Sequence, residues 1–153
     1  MTEIEQTGVL DVYLSIAKHF SDKRRNQWSW ITEFIIKINE NKGNISVLDI
    51  GCGNGRNMEG FNKNVNVFGI DNCNAFVKIC RERGKNVTET DMAEIPFGDN
   101  YFDYLISIAS FHHLSTKTRR IKALREIHRV SKPNAKMLLS VWSLNQPPNS
   151  GQS

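Results

Sequence analysis

The sequence contains no apolar run near the ~20 residues that span a bilayer. Its opening, M-T-E-I-E-Q-T, lacks the basic and apolar segments of a secretory or organelle-targeting leader. A cytosolic chain, with the nucleus as a second location and no membrane partner, is the resulting default. Cysteine is scarce: Cys52, Cys73 and Cys80 form no C-x-x-C pair and have no histidine at metal-ligand spacing. That small odd count argues against a disulfide framework and leaves three reduced thiols with no metal. Also missing is the third glycine of a dinucleotide fingerprint, G-x-G-x-x-G. What remains is ordinary in bulk. The 153 residues, 39% apolar and 24% charged with a net charge of +4, fit one soluble domain that permits an anionic partner without requiring one.

The informative stretch is V-L-D-I-G-C-G-N-G-R, Val47 to Arg56. Val47, Leu48 and Ile50 form a short β-branched apolar run, which predicts a strand buried on both faces. Gly51, Gly53 and Gly55 follow at once, suiting a tight turn where backbone approaches a ligand closely. Asp49 falls near the carboxyl end of that strand, where open α/β sheets bind ligands. About twenty residues on, V-F-G-I-D (Val67 to Asp71) predicts a second strand ending in an acid, placed to accept hydrogen bonds from ribose hydroxyls. The pattern implies a nucleoside cofactor.

Elsewhere, apolar spacing predicts a helix over about Gly8 to Phe20, with Leu10, Tyr13, Ile16, Ala17 and Phe20 as its stripe and His19 beside it. The run Lys23-Arg24-Arg25 is either a solvated loop or an anion site. A second helix is expected from Gln27 to Asn39, burying Trp28, Ile31, Phe34, Ile35 and Ile38. Another is expected from Arg56 to about Asn62, and a fourth from Asn74 to Arg83, stopped by Gly84. Asn86 to Thr90 predicts an edge strand. Asp91 and Met92 follow it directly, and by residue type alone Asp91 reads as a helix cap. A turn-rich loop through Ile95-Pro96-Phe97 leads to a fourth strand, Phe102 to Ala109, which contains Ser107; the Phe102-Asp103 pair is expected to be structural. Phe111-His112-His113-Leu114 follows that strand. Thr116 to Val130 predicts an amphipathic helix with Ile121, Leu124, Ile127 and Val130 inward. Arg119, Arg120, Lys122, Arg125 and Arg129 are then outward, either as a solvated face or as phosphate contacts. Ser131 to Asn134 is expected to turn into a fifth strand, Lys136 to Trp142, with Asn134 able to adopt a left-handed conformation. A polar stretch follows from Leu144 to Ser153.

The combination D-x-G-x-G-x-G with the downstream acid resembles motif I of the class I S-adenosylmethionine-dependent methyltransferases, as does P-F-x-D-x-x-F-D-Y-L-I-S (Pro96 to Ser107). The resemblance implies a doubly wound, Rossmann-like α/β sheet. One methyltransferase domain would fill residues 1–153, read as the amino-terminal part of a longer protein because the last two strands of such sheets have no counterpart. The openings V-Y-L-S-I-A-K-H-F-S-D-K-R-R-N-Q-W and I-S-I-A-S-F-H-H, with S-T-K-T-R-R and V-W-S-L-N-Q, are similar to the eukaryotic wobble-uridine tRNA methyltransferases over about Val12 to Gln146. That family esterifies the carboxylate of 5-carboxymethyluridine. The resemblance implies S-adenosyl-L-methionine as cofactor, bound by Asp49, Gly51, Gly53, Gly55, Asp71, Asp91, Met92 and Ser107. It implies catalytic positions at Arg24, His112 and His113, with Arg119-Arg120 also facing substrate or tRNA. tRNA and a small zinc-binding activator subunit, paired with the sheet edge at Asn86 to Thr90, are the implied partners. A methyltransferase for a small carboxylic acid or quinone, and a non-catalytic methyltransferase-like subunit, are the alternatives. Gln27, Asn72 and Asn145 stand where the family has proline, arginine and glutamate; the last two bear on substrate contacts and not on the methyl donor.

Overall fold

The computed structural model describes residues 1–12, 14 and 26–143. Tyr13, Ile16, Ala17, His19 and Phe20 of the first expected helix lie outside the described residues, as do Lys23, Arg24, Arg25 and the stretch from Leu144 onward.

Among the described residues, five parallel strands form one sheet in the order β3-β2-β1-β4-β5. They are β1 (Ile45–Ile50), β2 (Val65–Asp71), β3 (Val87–Glu89), β4 (Phe102–Ile108) and β5 (Ser131–Ser140). The chain steps outward from β1 to β3, then restarts at β4 on the other side of β1. This is the expected doubly wound order, and it opens a crevice at the strand carboxyl ends between β1 and β4.

Both parities of β1 are apolar because both sheet faces are covered. Leu48 and Ile50 pack with Leu105, Ile127 and Val130, the last two from helix α4 (Lys117–Val130). Val47 packs on the opposite face with Ile106 and with Ile31, Ile35 and Ile38 of helix α2 (Ser29–Asn39). Helix α3 (Asn74–Glu82) adds Val77 and Cys80 against Val87 and the glycine loop. The Phe102-Asp103 pair is structural, as its position suggested. Phe102 is fully buried, and Asp103 accepts from Ser46 N–H at 2.9 Å and from Lys132 Nζ at 3.1 Å.

Four elements differ from the expectation. Helix α1 starts earlier than Gly8, as an α-turn at Glu3–Glu5 that runs into a π-helical segment, Gln6–Leu10. Its start is fixed by a capping box in which Thr2 and Glu5 bond reciprocally, a T-x-x-E signal present in the sequence.

The helix expected over Arg56 to Asn62 is only a 3₁₀ turn, Arg56–Met58. Asn57 and Met58 turn inward and are buried. Gln27 Nε2 donates to the Arg56 and Glu59 carbonyls at 2.8 and 2.9 Å, taking acceptors that a helical ladder would have used. Proline at position 27 has no such donor.

Helix α4 is rotated relative to the expected face. Ala123, Ile127 and Val130 are buried, while Ile121 and Leu124 are 38% and 46% exposed. Two cations are drawn inward in their place. Arg129 donates to the Phe97 and Ile95 carbonyls at 2.7 and 2.8 Å and to Glu126, and Arg119 pairs with acids described below.

Finally, β5 begins directly at Ser131, and the expected turn is a bulge within it. The register with β4 shifts between Phe102 and Tyr104, and Asn134 takes a φ of 66°.

Phe102 meets Phe68, Phe97 and Tyr101 at ring-centroid distances of 6.0, 4.9 and 4.9 Å. Phe102→Ala is expected to destabilise the fold by ~3–5 kcal/mol in urea unfolding. A loss below 1 kcal/mol would show that this aromatic cluster is not the core of the α4 face.

Candidate active site

The loop after β1 is shaped by left-handed backbone. Gly51, Gly53 and Gly55 have φ of 70°, 53° and 80°. At Gly51 the requirement is also spatial, since a Cβ there would lie 1.9 Å from Ser110 Oγ. The Gly51 and Cys52 amides donate to the Ile70 carbonyl at 2.8 and 3.0 Å, bending the loop over the end of β2. Asp71, the last residue of β2, completes the hold. One carboxylate oxygen accepts from Gly53 N–H at 2.9 Å and the other from Cys73 N–H at 2.8 Å. Gly69, opposite Asp49 in the ladder, carries no side chain because Met58 Sδ and Cys52 Sγ would lie 2.8 and 3.0 Å from a Cβ.

Across the crevice, Ala109 ends β4 with a φ of 52°, an uncommon value for a residue with a side chain. Its amide is held by the Ser140 carbonyl at 3.1 Å and Ser140 Oγ at 3.0 Å. This corner turns Ser110 and a 3₁₀ turn, Phe111–His113, over the strand ends.

The resulting cleft encloses about 1080 Å³ including its open mouth. Gly51, Gly53, Asp71, Asp91, Met92 and His113 of the expected site line it. Asp49, Gly55, Ser107 and His112 stand behind the lining; Arg24 lies outside the described residues. The sequence reading missed Glu5, Val9, Arg56, Asn57, Ser110 and Trp142, which also line it.

Acidic groups dominate the electrostatics. Asp49 is 2% exposed with Oδ2 lacking a hydrogen-bond partner among the described residues, and burial, reinforced by the nearby Asp71 charge, pushes its pKa up to about 7. Burial also raises Asp71, against the pull of the Cys73 and Gly53 amides. The histidines are held neutral. Burial lowers His112, and burial together with His112 pushes His113 down to about 4. His112 packs against Trp142 with ring centroids 5.4 Å apart, and both its ring nitrogens are buried without a partner among the described residues. Burial disfavours the charged form of each imidazole.

Residues 48–139, more than half of the chain, match the family model described as a methyltransferase domain. The chain belongs to the methyltransferase-domain family. This methyltransferase domain is 39% identical over 144 residues to two proteins named tRNA (carboxymethyluridine(34)-5-O)-methyltransferase. They come from Schizosaccharomyces pombe and Arabidopsis thaliana, and the match covers 94% of this chain and 61% and 35% of theirs. Mammalian relatives at 38–39% identity are spanned to 31% of their length, so the chain covers about a third of several curated relatives. Among solved structures, the SAM-dependent methyltransferase from Aquifex aeolicus superposes with a TM-score of 0.61 at 28% identity, over 78% of this chain and 68% of that one.

The residues present fit S-adenosylmethionine. Its sulfonium and ammonium are cationic, and the cleft offers Asp71, with an Asp49 oxygen behind the loop that has no partner among the described residues; Asp91 and Glu5, which also line the cleft, are paired with Arg119. Gly51 and Gly53 would admit the methionine end beside Asp49, Asp71 the ribose, and Asp91 with Met92 the adenine. Ser107 Oγ is buried outside the lining and has no hydrogen-bond partner among the described residues.

The Asp49 shift has a definite sign. The unfolded carboxyl titrates near ~4, whereas the folded one holds its proton up to about 7. Its contribution is therefore lost as pH rises from about 4 to about 7. Asp49→Asn is expected to stabilise the ligand-free chain more at pH 8 than at pH 5, by on the order of 3 kcal/mol, while weakening S-adenosylmethionine binding. Equal effects at both pH values in thermal melts would contradict this.

Proposed function

We infer that this chain transfers a methyl group from S-adenosylmethionine to the carboxylate of 5-carboxymethyluridine at the tRNA wobble position, forming a methyl ester. The observation that carries this reading is the 39% identity over 144 residues to relatives bearing that name, in a chain with a cleft suited to a cationic methyl donor.

The chemistry asks little acid–base work of the protein. A carboxylate with a pKa near ~4 is already ionised at neutral pH, so no general base is required. The bound cofactor supplies an electrophilic methyl on a sulfonium. The chain has to align the carboxylate with it and exclude water, and alignment alone lowers a barrier by ~7–11 kcal/mol in favourable cases. Neutral His113, which lines the cleft, orients an oxygen by a single hydrogen bond without discharging its nucleophilicity. Arg24 is the cation assigned to the second contact by the resemblance.

With Arg119 and Arg129 committed to internal pairs, Lys117 and Arg125 are exposed cations that α4 offers to RNA phosphate, beside Lys122, which forms a surface pair with Glu94 at 3.4 Å. The zinc-binding activator subunit is assigned to β3. That strand pairs with β2 on one side and ends the sheet on the other, leaving an edge for β-augmentation.

The test is methyl transfer to tRNA carrying unesterified 5-carboxymethyluridine, with and without the activator, read by nucleoside mass spectrometry. The methyl ester is the expected product. A chain that binds S-adenosylmethionine but leaves this tRNA unmodified under both conditions would overturn the substrate assignment. Arg24→Ala is expected to lower kcat/KM for tRNA ~10–100-fold, the loss of one charge-assisted contact, with cofactor affinity unchanged; parallel loss of both would remove Arg24 from the substrate site.

A further inference from the structure

Arg119, in the first turn of α4, was expected to face substrate, and the fold turns it into the domain. Its side chain is 15% exposed and lies between two carboxylates. Nη2 donates to Asp91 Oδ2 and, at 3.1 Å, to Glu5 Oε2; Nε lies 3.3 Å from the same Glu5 oxygen. Each acid is held again from another side. Asp91 Oδ1 accepts from Ala93 N–H at 2.8 Å. Glu5 is 5% exposed, and its Oε1 accepts from Ser115 N–H at 2.8 Å, while Ser115 Oγ lies 2.6 Å from Thr2 Oγ1. Burial favours the protonated form of Glu5, but the Ser115 amide and Arg119 outweigh it and hold the pKa below the usual carboxylate range. Glu5 and Val9 from α1 and Asp91 and Met92 from the loop after β3 all line the cleft.

We propose that Arg119 is a positioning residue that sets the base specificity of the nucleoside pocket: it fixes the Asp91 carboxyl as an acceptor beside Met92 and, through Glu5, fastens α1 over the same base. This rests on the reading of the cleft as an S-adenosyl site. Adenine presents a 6-amino donor to an acceptor so fixed. A 6-oxopurine presents a carbonyl oxygen there, acceptor against acceptor, and a site built to bond a donor rejects an analogue that lacks it. Without Arg119, the Asp91 carboxyl keeps the Ala93 amide on one oxygen and is free to turn the other away from the base.

The test titrates S-adenosylhomocysteine and its 6-oxo counterpart, S-inosylhomocysteine, into the full chain by calorimetry. The wild type is expected to prefer the adenosyl ligand by about a hundredfold or more. In Arg119→Lys, which keeps the charge and loses the fork, the preference is expected to fall below about tenfold. The loss should fall on the adenosyl ligand, with inosyl affinity held. A purely structural role would weaken both ligands equally. Lys37→Ala, at an exposed cation on α2, should leave both affinities unchanged. If Arg119→Lys does not fold, the double variant Glu5→Gln/Arg119→Gln removes one acid together with the cation and gives the same readout. A folded Arg119 variant that keeps the wild-type ratio overturns the positioning role and leaves the cofactor reading standing. Failure of the wild type to bind either ligand overturns the cofactor reading, and this inference with it.

Discussion

The site depends on one carboxylate. Asp71 ends β2 and accepts from the Gly53 and Cys73 amides, tying the glycine loop to the neighbouring strand and the start of α3. The register Ile50↔Ile70 brings the two strand ends level, so the acid meets the loop without distortion of either strand. Two amides converging on one carboxyl group suit a loop that must hold three alternate residues in left-handed conformations. The same side chain lines the cleft, so loop shape and ligand recognition are one constraint.

Around that anchor the cleft is assembled from two opposite kinds of electrostatics. Asp49 and Asp71 lie on the β1–β2 side, where a cationic donor belongs, and Asp49 Oδ2, without a partner among the described residues, lies beneath the loop at the cost of a raised pKa. On the β4 side the imidazoles are neutral and packed against Trp142 and each other. Such a division suits transfer of a methyl group from a cation to an anion, because neither half neutralises the other's ligand.

The strands and the glycine loop were legible because their signals are local. Apolar runs of strand length, alternate glycines and an acid at a strand end need no knowledge of neighbours, and even the left-handed Asn134 could be read from its residue type. The misreadings have a common cause in long-range polar partners. Ile121 and Leu124 have the spacing of a buried stripe, yet α4 is rotated by what Arg119 and Arg129 reach: Glu5 lies 114 positions away and the Ile95 carbonyl 34. The turn at Arg56–Met58 was misread as a helix because Gln27, 29 positions earlier, holds its carbonyl. Glu5 itself was within reach, since Thr2 and Glu5 form a capping box that marks a helix start; its burial against Ser115 and Arg119 was not, because nothing local distinguishes it from Glu3.

The central claim is that buried acids beneath a glycine loop receive a cationic methyl donor. Calorimetric titration of S-adenosylmethionine near pH 7, repeated in buffers of different ionisation enthalpy, tests it most directly. A cation arriving beside Asp49, whose pKa stands at about 7, must drive off its proton. The account therefore predicts binding with net proton release, and less release for S-adenosylhomocysteine, which lacks the sulfonium charge. Absence of binding, or binding whose enthalpy is the same in every buffer, would contradict it.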